Sequence, residues 1–412
     1  PGIKPNKLIR NHDIEDADMA VSEKMKNFSE KSSWIRKMFE EGARLKAEYG
    51  SDQVFDFSIG NPDIAPPHQF RETMIEIASE NTPGQHGYMP NGGYTWVRQA
   101  IAARMSSEQE AVVDHGDILM SCGAAGAMNV AMKALLNPGD EVLLLTPYFV
   151  DYHFYVDNHG GVAKVVKTDE QFNLDLAAIE QAITDKTKAM IINSPNNPTG
   201  QIYSYQSIEA LGNLLESASK KIGSSIYLVS DEPYRKIIFE DYSVPPIFKL
   251  VRNSIVATSF SKDLSLPGER IGFIGVNPEA DTKTDLLNAM TLATRILGFI
   301  NAPAFMQRVV AELQGVTVDN SIYTRRREIF CNILENAGYD FIKPKGAFYL
   351  FPRSPIEDDV AFCSLLQKQK ILAVPGRGFG APGHFRLAFC TDEDYIERSA
   401  AGFRAAFAEA TS

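Results

Sequence analysis

From about residue 55 onward, short apolar runs alternate with longer stretches whose apolar positions recur at helical spacing. The stretch 124 to 136 (AAGAMNVAMKALL) reads as a helix that stops at the turn Asn137-Pro138-Gly139-Asp140, and the apolar run EVLLLTP follows at once. Further strands are predicted at 187 to 193 (TKAMIIN), 226 to 230 (IYLVS), 254 to 260 (SIVATSF) and 271 to 276 (IGFIGV). A helix near 207 to 222 carries Ile208, Leu211, Leu215, Ala218 and Ile222 on one face. Strands apolar on both faces belong in a sheet covered by helices on both sides, and strand alternating with helix predicts a mostly parallel α/β sheet.

The pattern changes at both ends. Residues 29 to 48 place Trp34, Ile35, Met38, Phe39 and Leu45 at near-helical spacing, which predicts an amphipathic helix ahead of the main fold. After about residue 300 come a long charged helix (IYTRRREIFCNILENAG), a strand AFYLFP, a helix VAFCSLLQKQK, and a strand pair near 371 to 375 and 385 to 390. This predicts a smaller α+β domain over 301–412, completed by residues 1–54, around a large domain over 55–300. A chain of 412 residues, at roughly 150 per domain, has room for both and for a large core.

Composition removes several function classes. With 41 basic against 52 acidic side chains the net charge is −11, which argues against general nucleic-acid binding. The one basic triplet, Arg325 to Arg327, reads as a solvated helix face. The four cysteines (Cys122, Cys331, Cys363, Cys390) show no C-x-x-C spacing and the seven histidines no H-E-x-x-H, so no metal site is expected. The polar, charge-alternating start PGIKPNKLIRNHDIEDADMA is unlike a signal peptide, and no apolar run approaches the roughly 18 residues of a membrane span. The expectation is a soluble, cytoplasmic protein.

Chemistry enters at the ends of the predicted strands. Strand 187 to 193 runs into Ser194-Pro195-Asn196-Asn197-Pro198-Thr199-Gly200, strand 226 to 230 into Asp231-Glu232-Pro233-Tyr234, and strand 254 to 258 into Ser259-Phe260-Ser261-Lys262. Ligands of open α/β sheets bind beyond the carboxyl ends of the strands. Parallel strands would therefore bring an amide, a carboxylate, a phenol, two hydroxyls and an amine to one rim. Each motif alone is good turn or surface chemistry; three within about seventy residues are not. Gly378 to Gly383 matches the spacing of a dinucleotide glycine fingerprint but precedes a strand instead of opening a helix, so it reads as a turn.

S-P-N-N-P-T-G, S-D-E-P-Y-R and S-F-S-K-D-L-S-L-P-G-E-R-I-G, in that order and at those intervals, resemble the pyridoxal-phosphate enzymes of the aspartate aminotransferase superfamily, fold type I, class I/II. The resemblance runs from about residue 30 to the C-terminus. It implies a large domain with a mostly parallel sheet of the seven-stranded type, plus a small domain built from both chain ends. It further implies pyridoxal 5'-phosphate as cofactor, Lys262 as the Schiff-base lysine and proton carrier, and Asp231 as the carboxylate that keeps the pyridine nitrogen protonated. Asn197 and Tyr234 would donate to the cofactor's ring oxygen. Its phosphate would rest on Gly123, Ala124 and Ala125 with Ser259, Ser261 and Arg270, and the alanines leave only main-chain donors where many relatives carry a hydroxyl or amide. Phe149, with Tyr148 as second choice, would stack on the ring.

Arg386 in G-H-F-R-L-A-F and Gly60 in S-I-G-N-P-D resemble the residues that hold the substrate α-carboxylate, together with Asn197. Tyr88 resembles a tyrosine that reaches the neighbouring subunit's cofactor, which implies a homodimer with shared sites. The implied activity is amino-group exchange between an L-amino acid and a 2-oxo acid. A C–S β-lyase on sulfur amino acids, or more remotely a cofactor-binding regulator, would use the same residues. For a distal substrate carboxylate, Arg36 and Arg295 are the candidate cations. The apolar stretch Ile296 to Ile300 favours neutral or aromatic substrates, although core packing explains it equally well.

Overall fold

The computed structural model describes residues 21–412 apart from residue 32, with side chains described outside residues 30–39. The chain divides into two compact units after Gln53. In the first, helices Glu23–Lys31 and Ser33–Tyr49 precede a 3-10 turn, Ser51–Gln53. Arg44 pairs with Glu41 at 2.7 Å and Glu48 at 2.5 Å, the i,i+3 and i,i+4 spacing at which helix side chains meet. Leu45 is buried, while the side chains of Trp34, Ile35, Arg36, Met38 and Phe39 lie outside those described.

The second unit holds the strands β1 (Phe55–Asp56), β2 (Ile118–Ser121), β3 (Glu141–Thr146), β4 (Val162–Lys167), β5 (Thr187–Asn193), β6 (Tyr227–Asp231), β7 (Ser254–Ser259) and β8 (Gly272–Val276). After these come β9 (Tyr349–Leu350), β10 (Ile371–Leu372), β11 (Val374–Pro375) and β12 (Phe385–Ala388). Seven of them form one sheet in the order β2-β8-β7-β6-β5-β3-β4. Its strands are parallel except β8, which is antiparallel to both neighbours. Val142, Leu144, Ile191 and Val229 bury themselves against helices on one face, and Leu143, Leu145, Met190 and Leu228 on the other. This two-sided cover explains why these strands are uninterrupted apolar runs.

Two strands escape the sequence pattern. β2 is only four residues long, and β4 is an edge strand whose Lys164 and Lys167 break the apolar run and whose Val162 and Val165 are half exposed. The single strand expected near 371 to 375 is two. β10 pairs with β1 and β11 with β12, and the chain changes partner at Ala373. The helix Tyr205–Ile222 starts where the Ser204 side chain accepts from Ser207 N and stops at Gly223, whose φ of +70° suits glycine. The Gly378 to Gly383 segment lies in and after a 3-10 turn, Gly376–Phe379, and leads into β12.

A separate core gathers Tyr323, Phe330, Phe348, Phe362, Phe385 and Phe403 with Phe57 from the start of the unit and Ile237 and Phe239 from beyond β6. The helix Asn320–Ala337 crosses this region, and its arginine triplet is not a solvated face. Arg326 and Arg327 are 7% and 1% exposed. Arg326 grips Asp63 with two bonds of 2.6 and 2.8 Å. Arg327 meets Glu240 at 2.9 Å and lies 4.4 Å from the Phe239 ring centre. Only Arg325, paired with Glu393, keeps to the surface. Among the described residues no helix is long and apolar enough to cross a membrane.

Candidate active site

The register of the sheet brings the polar strand ends together. β5, β6 and β7 run parallel side by side, with Asn193 opposite Asp231 and Asp231 opposite Ala257. The segments that follow therefore leave the same rim. β8 enters from that rim because it runs the other way, so Gly272 sits between Ser121 at the end of β2 and Ser259 at the end of β7. Arg270 and Gly123 are thereby neighbours: a Cβ on Gly123 would lie 2.8 Å from the Arg270 guanidinium, and the φ of +71° there also suits glycine. Gly123 opens the helix Gly123–Leu135, with Ala124 and Ala125 in its first turn. The N–H groups of a helix start, with an arginine beside them and the buried Ser259 and Ser261 on the same rim, are the donor set that could hold a multiply charged anion.

Asp231 is 6% exposed. Tyr152 donates to its Oδ2 at 2.5 Å, while Oδ1 is buried with no partner among the described residues. Burial pushes this carboxyl up to about 7, against the pull of the Tyr152 hydrogen bond and with a push from Glu232. Such a group lacks a cation or a donor on its second oxygen. Lys262 is the complementary case. Its Nζ donates to the Gly60 carbonyl at 2.9 Å and lies 5.3 and 5.9 Å from the ring centres of Phe348 and Tyr234. Burial lowers the ammonium to about 8, with Arg386 and Arg270 adding repulsion and Cys390 opposing them. A lysine so placed carries a substantial neutral fraction near neutral pH.

Asn193 ties the rim segments together, its amide donating to the Asp231 carbonyl at 2.8 Å and its Oδ1 accepting from Asn197 N at 2.6 Å. The Asn197 side chain in turn accepts from Arg386 at 3.1 Å, and Arg386 also donates to the Ser58 carbonyl at 2.6 Å. Arg386 stands between two rings, 4.7 Å from the centre of Tyr349 and 4.9 Å from that of Phe379, with its Nε buried and unpartnered among the described residues. The hydroxyls of Tyr234 and Tyr349 meet at 2.9 Å. Phe149 packs edge-on against Tyr152 at 5.6 Å, whereas Tyr148 is held by Phe379, its N–H donating to that residue's carbonyl at 3.1 Å.

Most of the residues expected from the sequence thus fall on one rim. Tyr88 does not: it is 91% exposed. Arg295 is exposed, as are Ile296 and Ile300, whereas Leu297 and Phe299 of the same stretch pack against the core, Phe299 lying over Gly126. Tyr152, Asn193 and Tyr349 are additions that the strand-end motifs do not announce. An asparagine closing an apolar strand was the available signal for Asn193; the tyrosines sit in apolar surroundings and read as core. Among the described residues no group of His, Cys, Asp and Glu could hold a metal ion.

A mostly parallel α/β sheet presenting a desolvated amine, a buried acid and an anion cradle on one rim is matched by comparison with known proteins. The family model described as aminotransferase class I and II covers residues 52–403, and the chain belongs to that family. It is similar to a probable aspartate aminotransferase of Methanocaldococcus jannaschii, 32% identical over 92% of this chain and 97% of the relative. An aspartate aminotransferase of Geobacillus stearothermophilus is 31% identical over 87% and 92%. A crystal structure of an aminotransferase from Eubacterium rectale aligns with a TM-score of 0.92 and 36% identity over 96% of this chain and 100% of that one. The chain is an aminotransferase, and the C–S lyase alternative is not favoured.

Proposed function

We propose that this aminotransferase works with pyridoxal 5'-phosphate held on the rim of β5, β6 and β7, and exchanges the amino group between an L-amino acid and a 2-oxo acid. The residues fit that cofactor. The unpartnered Asp231 Oδ1 suits a protonated ring nitrogen, and the Gly123 helix start with Arg270, Ser259 and Ser261 suits a phosphate dianion. When bound, the cofactor supplies an aldehyde for amines and a pyridinium ring that accepts the electron pair left on the substrate α-carbon.

The protein's own part is positional and electrostatic. Asp231, kept from water, favours the ring's charged form. Asn197 and Tyr234 would supply donors to the ring oxygen, and Phe149 would cover the ring. Arg386 holds the substrate carboxylate in a bidentate fork beside Asn197 and Gly60. Lys262, whose burial lowers its ammonium to about 8, would take the proton from the substrate α-carbon and deliver it to the cofactor carbon that receives the amino group. Tyr88, exposed in one chain, reaches the site of a second copy, so the working unit is a homodimer with shared sites. The four free cysteines suit a reducing cytoplasm.

The observation that carries this reading is a desolvated lysine and a buried carboxylate with one orphaned oxygen, placed at the ends of adjacent parallel strands. Borohydride treatment of the cofactor-loaded protein is expected to fix the cofactor to Lys262, as read by peptide mass spectrometry; attachment elsewhere sinks the proposal. A half-reaction screen, following the loss of the yellow colour with each amino acid, then gives the substrate. Aspartate comes first because relatives carry that name. The exposed Ile296 and Ile300 favour a second reading with neutral or aromatic donors, which aspartate or glutamate alone bleaching the protein would exclude.

A further inference from the structure

Tyr349 lies where three parts of the site meet, although it follows no strand-end motif. It is 2% exposed on the short strand β9. Its hydroxyl is 2.9 Å from that of Tyr234, and among the described residues neither hydroxyl makes another hydrogen bond. Its ring faces the Arg386 guanidinium at 4.7 Å. A Cβ on Gly60 would collide with the Tyr349 hydroxyl, so the glycine that accepts from Lys262 owes its close approach to this phenol.

From this juxtaposition we infer that Tyr349 is a positioning residue that couples the donor to the cofactor's ring oxygen with the cation for the substrate carboxylate. The inference rests on the function proposed above. A phenol has one hydrogen to donate and lone pairs to accept with. When the Tyr234 hydroxyl donates to a ring oxygen, its own oxygen can accept from Tyr349, and a donor that accepts in this way donates more strongly. The remaining groups around Tyr234 do not replace that bond. Burial above all raises its phenol; of the charged groups, Arg386 lowers it and Asp231 raises it through space, and Lys262 lies over its ring at 5.9 Å. The same phenol's ring fixes the guanidinium plane from one side while Phe379 holds the other. One side chain thereby keeps the amino-group end and the carboxylate end of a substrate in a fixed relation.

The two functions separate by substitution. Tyr349→Phe keeps the ring and removes the hydroxyl, whereas Tyr349→Leu removes both. With Tyr349→Phe, the pH midpoint of the loaded protein's visible absorbance is expected to rise by about 0.3 to 1 unit, because the anionic ring oxygen loses part of its stabilisation, while KM stays nearly constant. With Tyr349→Leu, the same shift is expected together with a rise in KM of about threefold to tenfold as the stack on Arg386 is lost. Tyr234→Phe serves as the reference for the ring-oxygen effect. A midpoint that moves with Tyr234→Phe but not with Tyr349→Phe overturns the inference and leaves the proposed function standing. A wild-type protein without any cofactor absorbance fails the functional reading itself.

Discussion

A carboxylate buried beside a tyrosine, with its second oxygen unbonded among the described residues, is worth more to a ligand than to the fold. Asp231 carries that cost in the cofactor-free chain. Its folded pKa of about 7 lies above the 3.8 of an ordinary aspartate, so between these values the folded chain holds a proton that the unfolded chain has released. Its stabilising contribution is therefore complete below about pH 4 and lost as the pH rises through 7, up to about 4 kcal/mol on the scale of 1.36 kcal/mol per unit. Asp231→Asn removes the titration. The variant's melting temperature relative to the wild type, measured without cofactor, is expected to climb between about pH 4 and 7 and to level off above, and its activity to fall about a hundredfold or more. The unpaired amide adds a cost that does not vary with pH, so a flat difference across that range would refute the account. Asp231, Lys262 and Asn197 were legible because each lies at or just beyond the carboxyl end of a strand, where chain direction alone tells which way the chemistry faces. Tyr152 and Tyr349 were not, since a tyrosine in an apolar run differs from core only through the partner its hydroxyl meets.

Length and coverage together decided which strands were legible, and the fully buried but four-residue β2 was not. β5, β6, β7 and β8 are buried on both faces and stand out as apolar runs, but the edge strand β4, with its lysines, does not. The helix Asn320–Ala337 was legible as a helix, yet its consecutive arginines misled, because charge type says nothing about which side of a helix faces the core. Arg325, Arg326 and Arg327 point in different directions, as consecutive helical residues must. The consequence is testable by denaturant unfolding. Arg327→Ala removes a 1% exposed side chain stacked on Phe239 and bonded to the Pro344 carbonyl at 2.9 Å, and is expected to cost about 2 to 3 kcal/mol. Arg325→Ala breaks only an exposed pair with Glu393 and should stay within about 0.5 kcal/mol. Equal effects from the two substitutions would restore the solvated-face reading.

At the scale of the molecule, the side chains that the site does not absorb carry the argument. Tyr88 at 91% exposure, Ile296 at 57% and Leu292 at 48% face away from their own chain's core. Scattered apolar exposure is ordinary, but Tyr88 also resembles a residue that serves a neighbouring site, and this makes a prediction that no single chain can satisfy. In a hybrid of one Lys262→Ala subunit and one Tyr88→Leu subunit, the second subunit keeps its lysine and receives an intact tyrosine from the first. Action across the interface therefore gives one fully working site per dimer, so the purified hybrid should show about half the wild-type kcat with an unchanged cofactor affinity. Action within a chain leaves that same site with the damaged tyrosine, and its cofactor affinity would match that of the Tyr88→Leu homodimer. Differentially tagged co-expression, followed by cofactor titration of the isolated hybrid, separates the two outcomes, and affinity matching the Tyr88→Leu homodimer would remove the shared site from the proposal.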